Sequence, residues 1–191
     1  MRKILFFGDS LTAGYGLTSP DNESFPALIQ QKIDVEKLPY RTINAGVSGD
    51  TSSGGLARLE RWLVNPIDIF VLELGLNDFL RGLPASATYN NLDKILAKVL
   101  KKYPECKLAI MGMEIPEFIA ASRIDEFRGI FRKLAETYNA SLVPFFLDGV
   151  AGRSHLNMKD GIHPSSKGYV VIADNVWPKI KSLLAGQVAE A

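Results

Sequence analysis

The chain contains one cysteine, Cys106, and only two histidines, His155 and His163. A lone cysteine forms no intramolecular disulfide and builds no cysteine metal centre, which fits a reducing compartment and is equally compatible with the periplasm. Two histidines eight residues apart, without a cysteine pair, make a poor zinc site, so no metal is expected. A charge excess is missing too. Lys and Arg total 22 against 21 Asp and Glu, a formal net charge of +1. Nucleic acid and anionic membrane surfaces both favour a concentrated basic face, and neither is expected as a partner.

Long apolar runs are absent as well. No stretch approaches the ~20 residues of a membrane span, so stable membrane insertion is not expected. Met1-Arg2-Lys3 and Ile4–Phe7 begin like a secretion signal, but the run stops at Gly8-Asp9. That is short of the ~7–15 apolar residues such a signal needs. The chain is expected to be soluble, and its compartment stays open: cytoplasmic, or periplasmic or secreted where a leader has been removed. Nothing in the sequence speaks to its oligomeric state. Phosphate-binding loops are missing also. Gly14-Tyr15-Gly16 lacks a third glycine at position 19, which is Ser, and no Gly-Lys-Ser/Thr sequence occurs. Gly8-Asp9-Ser10 lacks the second glycine of Gly-x-Ser-x-Gly, since position 12 is Thr.

What remains is an ordinary globular composition, 47% hydrophobic and 23% charged over 191 residues. That length suits one domain, and 1–191 is read as one. Short apolar runs at Ile4–Phe7, Tyr40–Ala45, Ile67–Leu74, Lys107–Met113 and Leu142–Phe146 have strand length. Pro144, inside the last run, argues for a sheet edge. Helical periodicity lies between them: after Ser24, from Ser52 or Ser53, about 86–103, about 123–138, and after Pro164. This alternation implies a parallel sheet covered by helices on both faces. Ligands then bind beyond the carboxyl ends of the strands, in the turns that leave them.

Four such turns carry chemistry. The first holds Gly8-Asp9-Ser10-Leu11 and the second Asn44 to Thr51, including Ser48-Gly49-Asp50. The third is Gly75-Leu76-Asn77-Asp78, and the fourth is Asp160-Gly161-Ile162-His163-Pro164. A serine hydroxyl attacks a carbonyl only when a base removes its proton. His163 is the natural base for Ser10, and Asp160 lies close enough to accept the other imidazole N–H. The N–H groups of Ser10 and Gly49 and the Asn77 amide are candidate donors to the developing oxyanion. Asp9 and Asp78 read as structural, bonding loop N–H groups, and His155 reads as a loop residue. Ile115, Pro116 and Phe118 follow the fourth run. They line an acyl-chain groove or form a flap, or else they only pack the loop against the sheet.

These four blocks, in this order from residue 8 to 164, resemble the GDSL, or SGNH, hydrolase family and its thioesterase I/arylesterase branch. Gly55–Leu59 and Val143–Phe146 strengthen the likeness. The resemblance implies an α/β, three-layer, flavodoxin-like fold with a five-stranded, mostly parallel sheet, and no cofactor. It implies the triad Ser10–His163–Asp160 and an oxyanion hole of Ser10, Gly49 and Asn77. The expected substrates are small carboxylic esters, aryl esters or thioesters of short-to-medium acyl chains, cleaved through an acyl-serine. Deacetylation of sugars and an inactive flavodoxin-like binding module are the alternatives. One departure is visible: relatives often carry Gly-Gly-Asn-Asp-Gly where this chain has Gly75-Leu76-Asn77-Asp78-Phe79. Leu76 and Phe79 add bulk beside the donor and are expected to contact substrate.

Overall fold

The structure is a computed structural model that describes residues 1–113 and 121–185. Five strands, β1 (Arg2–Gly8), β2 (Tyr40–Gly46), β3 (Ile69–Glu73), β4 (Lys107–Met111) and β5 (Ser141–Val143), pair in the order β2-β1-β3-β4-β5. All four pairings are parallel. The helices in chain order are α1 (Ser10–Ala13), α2 (Pro20–Glu23), α3 (Phe25–Val35), α4 (Ser52–Arg58) and α5 (Leu76–Leu80). They continue with α6 (Ala85–Lys102), α7 (Ala121–Thr137) and α8 (Ser166–Ala185).

Burial explains the strand patterns. β3 is buried at every residue and β1 from Ile4 onward, because helices cover both faces of the sheet. β2 is an edge strand with exposed and half-buried residues, hence its weaker apolar run. β5 forms the other edge, where Pro144 pointed, although the strand itself ends at Val143. Proline has no N–H to continue the ladder, so pairing stops before it. On one side of the sheet α3 packs on α8 and β2, and α8 on β4 and β5. On the other, α4 packs on α6, α6 on α7, and α7 on β4 and β5. The result is a three-layer α/β/α fold with the flavodoxin-like strand order. Among the described residues, no helix is long and apolar enough to cross a membrane.

The register is what positions the site. Gly8 of β1 lies beside Gly46 of β2 and Glu73 of β3, so three turns leave the sheet from one level. β1 and β3 are also where the chain reverses its winding direction, the crevice in which open parallel sheets bind ligands.

Candidate active site

Ser10 is the first residue of α1, directly after β1, with Asp9 as the helix N-cap accepting from the Leu11 N–H at 3.0 Å. The four-residue helix is too short for periodicity to reveal. It turns the chain so sharply that Gly8 must lie against Glu73 and Thr12, and any side chain at position 8 would collide with both. Glu73, fully buried, accepts from the Thr12 hydroxyl at 2.6 Å and the Asp9 N–H at 3.2 Å, fixing that turn from below. Its other oxygen, Oε1, has no hydrogen-bond partner among the described residues. Burial, and then the Asp9 charge, push the Glu73 carboxyl well above the usual carboxylate range. Burial also raises Asp9, to about 6, against the pull of its bonds from Leu11 and Asn77.

His163 stands across from Ser10, its Nε2 3.0 Å from Oγ. On the far side of the ring, Nδ1 lies 2.7 Å from Asp160 Oδ2. Asp160 Oδ1 also accepts the backbone N–H groups of Ile162 and His163, at 2.9 and 3.0 Å. Asp160 is thus the hub of its own turn. These bonds, the His163 N–H first, hold its carboxyl down at about 2. A base within hydrogen-bond reach of a hydroxyl, oriented in turn by a carboxylate, can take the hydroxyl proton and stabilise the resulting imidazolium.

The second and third turns meet the first through Asn77. Its amide nitrogen donates to Asp9 Oδ2 and to the Asp50 carbonyl, each at 2.9 Å. Both amide protons are therefore engaged. The Ser10 N–H, at the start of a helix, has no intrahelical acceptor, and the Gly49 N–H has no protein acceptor among the described residues. Arg81 donates to the Gly49 carbonyl at 2.7 Å. Asp78 is buried and accepts from the N–H and hydroxyl of Ser52, tying the third turn to the start of α4. Asp9 and Asp78 are the loop acceptors the sequence indicated.

Leu76 and Phe79 are half-buried against the core. Phe79 packs on Phe127 of α7 at 5.2 Å between ring centroids, and with Leu83 and Pro84 it lines a cleft of about 130 Å³. Ile115, Pro116 and Phe118 lie outside the described residues. His155 is exposed on its loop.

Two residues essential to this geometry escaped sequence reasoning. Arg58 of α4 donates to Asp50 Oδ2 at 2.6 Å, to the Ala45 carbonyl at 2.8 Å and to the Gly8 carbonyl at 2.9 Å. It also stacks over Phe7 at 4.0 Å. One guanidinium thus clamps the ends of β1 and β2 to the second turn, and only the planar fork of an arginine spans three acceptors this way. Nothing in helical periodicity marks it. Glu73 did leave a signal, as the acid near the end of the apolar run IDIFVLEL.

Residues 6–171 match the GDSL-like lipase/acylhydrolase family. Esterase TesA of Pseudomonas aeruginosa is 36% identical over 95% of this chain and 89% of its own. Thioesterase 1/protease 1/lysophospholipase L1 of Escherichia coli K12 is 34% identical over 95% of this chain and 84% of its own. Among solved structures, esterase EstA from Pseudoalteromonas sp., inhibited by monoethylphosphonate, superposes with a TM-score of 0.87 at 34% identity. That likeness covers 96% of this chain and 99% of the other. With the four turns assembled and the match spanning nearly the whole sheet, this chain belongs to the GDSL-like lipase/acylhydrolase family.

Proposed function

We propose that the chain is a serine esterase in which Ser10 attacks the ester carbonyl, His163 is the general base and acid, and Asp160 orients the imidazole and stabilises the imidazolium. The observation that carries this reading is the continuous contact from Ser10 Oγ through both nitrogens of His163 to Asp160, at 3.0 and 2.7 Å. In acylation the Oγ–carbon bond forms and the Oγ proton moves to Nε2. The carbonyl carbon–leaving-oxygen bond then breaks as Nε2 returns the proton to that oxygen. Water repeats the sequence on the acyl-serine, releasing the acid.

In this reading the oxyanion is held by the N–H groups of Ser10 and Gly49 and by the Asn77 amide. Asn77 donates to a carboxylate and a peptide carbonyl in the free protein. An oxyanion beside it competes with that neutral carbonyl for the same proton, and the charged acceptor makes the stronger bond. One such donor contributes about 10²–10³ in kcat.

The substrates are small carboxylic esters, including aryl esters and thioesters, of short-to-medium acyl length. Large apolar side chains that stay exposed, Tyr15, Val47, Leu80, Leu83 and Ile162, lie on or beside the four turns and favour apolar esters over acetylated sugars. The whole chain serves as one hydrolase domain, since the sheet draws on residues 2 to 143 and α8 returns to pack on α3. Hydrolysis of p-nitrophenyl esters from acetate to palmitate, and of acyl-CoAs, tests this reading in wild type and Ser10→Ala. Turnover of the shorter esters, falling to background in Ser10→Ala, is the expected outcome. Turnover that survives the substitution overturns Ser10 as nucleophile.

A further inference from the structure

Gly14-Tyr15-Gly16 matches no phosphate loop, and the mechanism above makes no use of it. Both glycines have left-handed backbone, with φ of 78° and 77°. Only glycine takes this geometry on both sides of a tyrosine without strain. The N–H groups of Gly14 and Tyr15 both donate to the Ser10 carbonyl at 3.0 Å. Gly16 lies against the thioether end of Met158, and the Met158 N–H donates to the His163 carbonyl at 2.7 Å. The segment is thus hydrogen-bonded to the nucleophile turn at one end and packs against the His163 loop at the other.

Its product is the placement of one ring. Tyr15 stands 4.6 Å from the His163 imidazole between centroids, tilted by 45°. Even so, Tyr15 is 51% exposed, and Ile162, next to His163 in the chain, is 43% exposed. Among the described residues, the other large aromatic rings near the nucleophile turn, Phe6, Phe7, Phe25 and Tyr169, are wholly buried. A ring anchored to the nucleophile turn, held against the base and bare on its remaining surface, is a contact surface and not core.

The reaction says what would lie there. His163 Nε2 must hand its proton to the leaving oxygen or sulfur, so that atom sits within hydrogen-bond reach of the imidazole as its bond to carbon breaks. The group attached to it therefore extends along the imidazole side. The acyl chain, attached to the carbonyl carbon, carries no such constraint. We propose that Tyr15, with Ile162, forms the leaving-group subsite: it reads the alcohol or thiol portion of the substrate, favours a flat apolar one, and is indifferent to the acyl chain. This rests on the Ser10–His163–Asp160 reading and adds a specificity residue to it.

A kinetic signature follows. The alcohol has departed before water attacks the acyl-serine, so Tyr15 acts on acylation and not on deacylation. The test compares wild type, Tyr15→Ala, Tyr15→Phe and Ile162→Ala on acetate esters of 2-naphthol, phenol and trifluoroethanol. p-Nitrophenyl acetate, butyrate and hexanoate supply the acyl series. Tyr15→Ala is expected to lower kcat/KM for 2-naphthyl acetate about 3- to 10-fold more than for trifluoroethyl acetate, the worth of one aromatic contact. Tyr15→Phe should restore the preference, and Ile162→Ala, at an exposed position, should weaken it in the same direction. The acyl-length ratios and the deacylation rate after a burst should match wild type in all variants.

Equal losses for every leaving group would overturn the subsite and leave Tyr15 as a mere prop for the imidazole. A changed acyl-length ratio would overturn it too, by placing the ring on the acyl side. Ser10→Ala, run in parallel, separates the two levels. Activity surviving there defeats the underlying mechanism, whereas activity lost there without leaving-group discrimination in Tyr15→Ala defeats only the subsite.

Discussion

Ser10 and His163 meet at 3.0 Å across two regions of unlike construction. On the Ser10 side everything is interior. Asp9, Ser10 and Thr12 are buried, Glu73 braces the turn from below, and the Arg58–Asp50 ion pair, itself largely buried, joins it to the second turn. On the His163 side the Asp160 side chain is 40% exposed, and its turn is organised mainly by the bonds that one carboxylate accepts. Ionisation follows the same division. Burial drives the Asp9 and Glu73 carboxyls up, whereas hydrogen bonding drives Asp160 down. The buried half is paid for in desolvation and returns rigidity at Ser10. The exposed half stands open to solvent and owes its order to the bonds that one carboxylate accepts.

The largest expected effect breaks the exposed half alone. Asp160→Ala should cost about 10⁴-fold in kcat, because the imidazole loses its tautomer and its counter-charge together. Its unfolding free energy should fall by only about 0.5–2 kcal/mol at neutral pH, the cost of losing a side chain that holds backbone N–H groups. Steady-state kinetics and urea unfolding on the same preparation check both numbers. The contrary pattern, strong destabilisation with modest kinetic loss, would reverse the contrast.

Next comes the clamp on the buried half. Arg58→Ala leaves Asp50 with an uncompensated buried charge and takes one donor from each of the Gly8 and Ala45 carbonyls. Breaking such a pair costs about 3–5 kcal/mol, to be read as a lower urea midpoint. Arg58→Lys should recover only part of this, because an ammonium cannot span three acceptors in the plane of a fork.

The smallest effect is in the pH dependence of stability, where the two halves should carry opposite signs. Asp9 has its folded value raised from 3.8 to about 6. Between those values the native state holds more protons than the unfolded chain, so stability falls as pH rises, and the full penalty is present above about 6. Asp160, lowered from 3.8 to about 2, does the reverse: its contribution is present above pH 3.8 and is lost as pH falls toward about 2. Asp9→Asn should flatten the slope between pH 4 and 6, and Asp160→Ala the slope below 4. Thermal melts across that range would read both.

Much of this division was legible in the chain, and the part that was not has a physical reason. The strands showed because a sheet covered on both faces demands unbroken apolar runs such as that of β3. Ser10, Gly49, Asn77, Asp160 and His163 showed because each sits in or beside a turn, where Gly, Asp, Asn and Pro leave local marks. Helices α1, α2 and α5, at four or five residues, are too short to display a period. Arg58 and the second partner of Asn77 were hidden for a different reason. Their bonds join residues far apart in sequence, 50 positions for Arg58 to Gly8 and 27 for Asn77 to Asp50. Such contacts exist only once the sheet register is set, and no local pattern announces them. Tyr15 lay in plain view between two glycines, but the meaning of that spacing depends on where His163 arrives.

The contrast between the halves matters only if Ser10 is the atom through which they act. The most direct measurement is covalent trapping with a fluorophosphonate, followed by peptide mapping by mass spectrometry. Wild type should gain one phosphonyl group on the peptide containing Ser10, with activity lost in proportion, and Ser10→Ala should gain none. Labelling should slow sharply in Asp160→Ala, because the nucleophile needs its oriented base. Adduct formation on another residue, or full activity in protein phosphonylated at Ser10, would contradict the account.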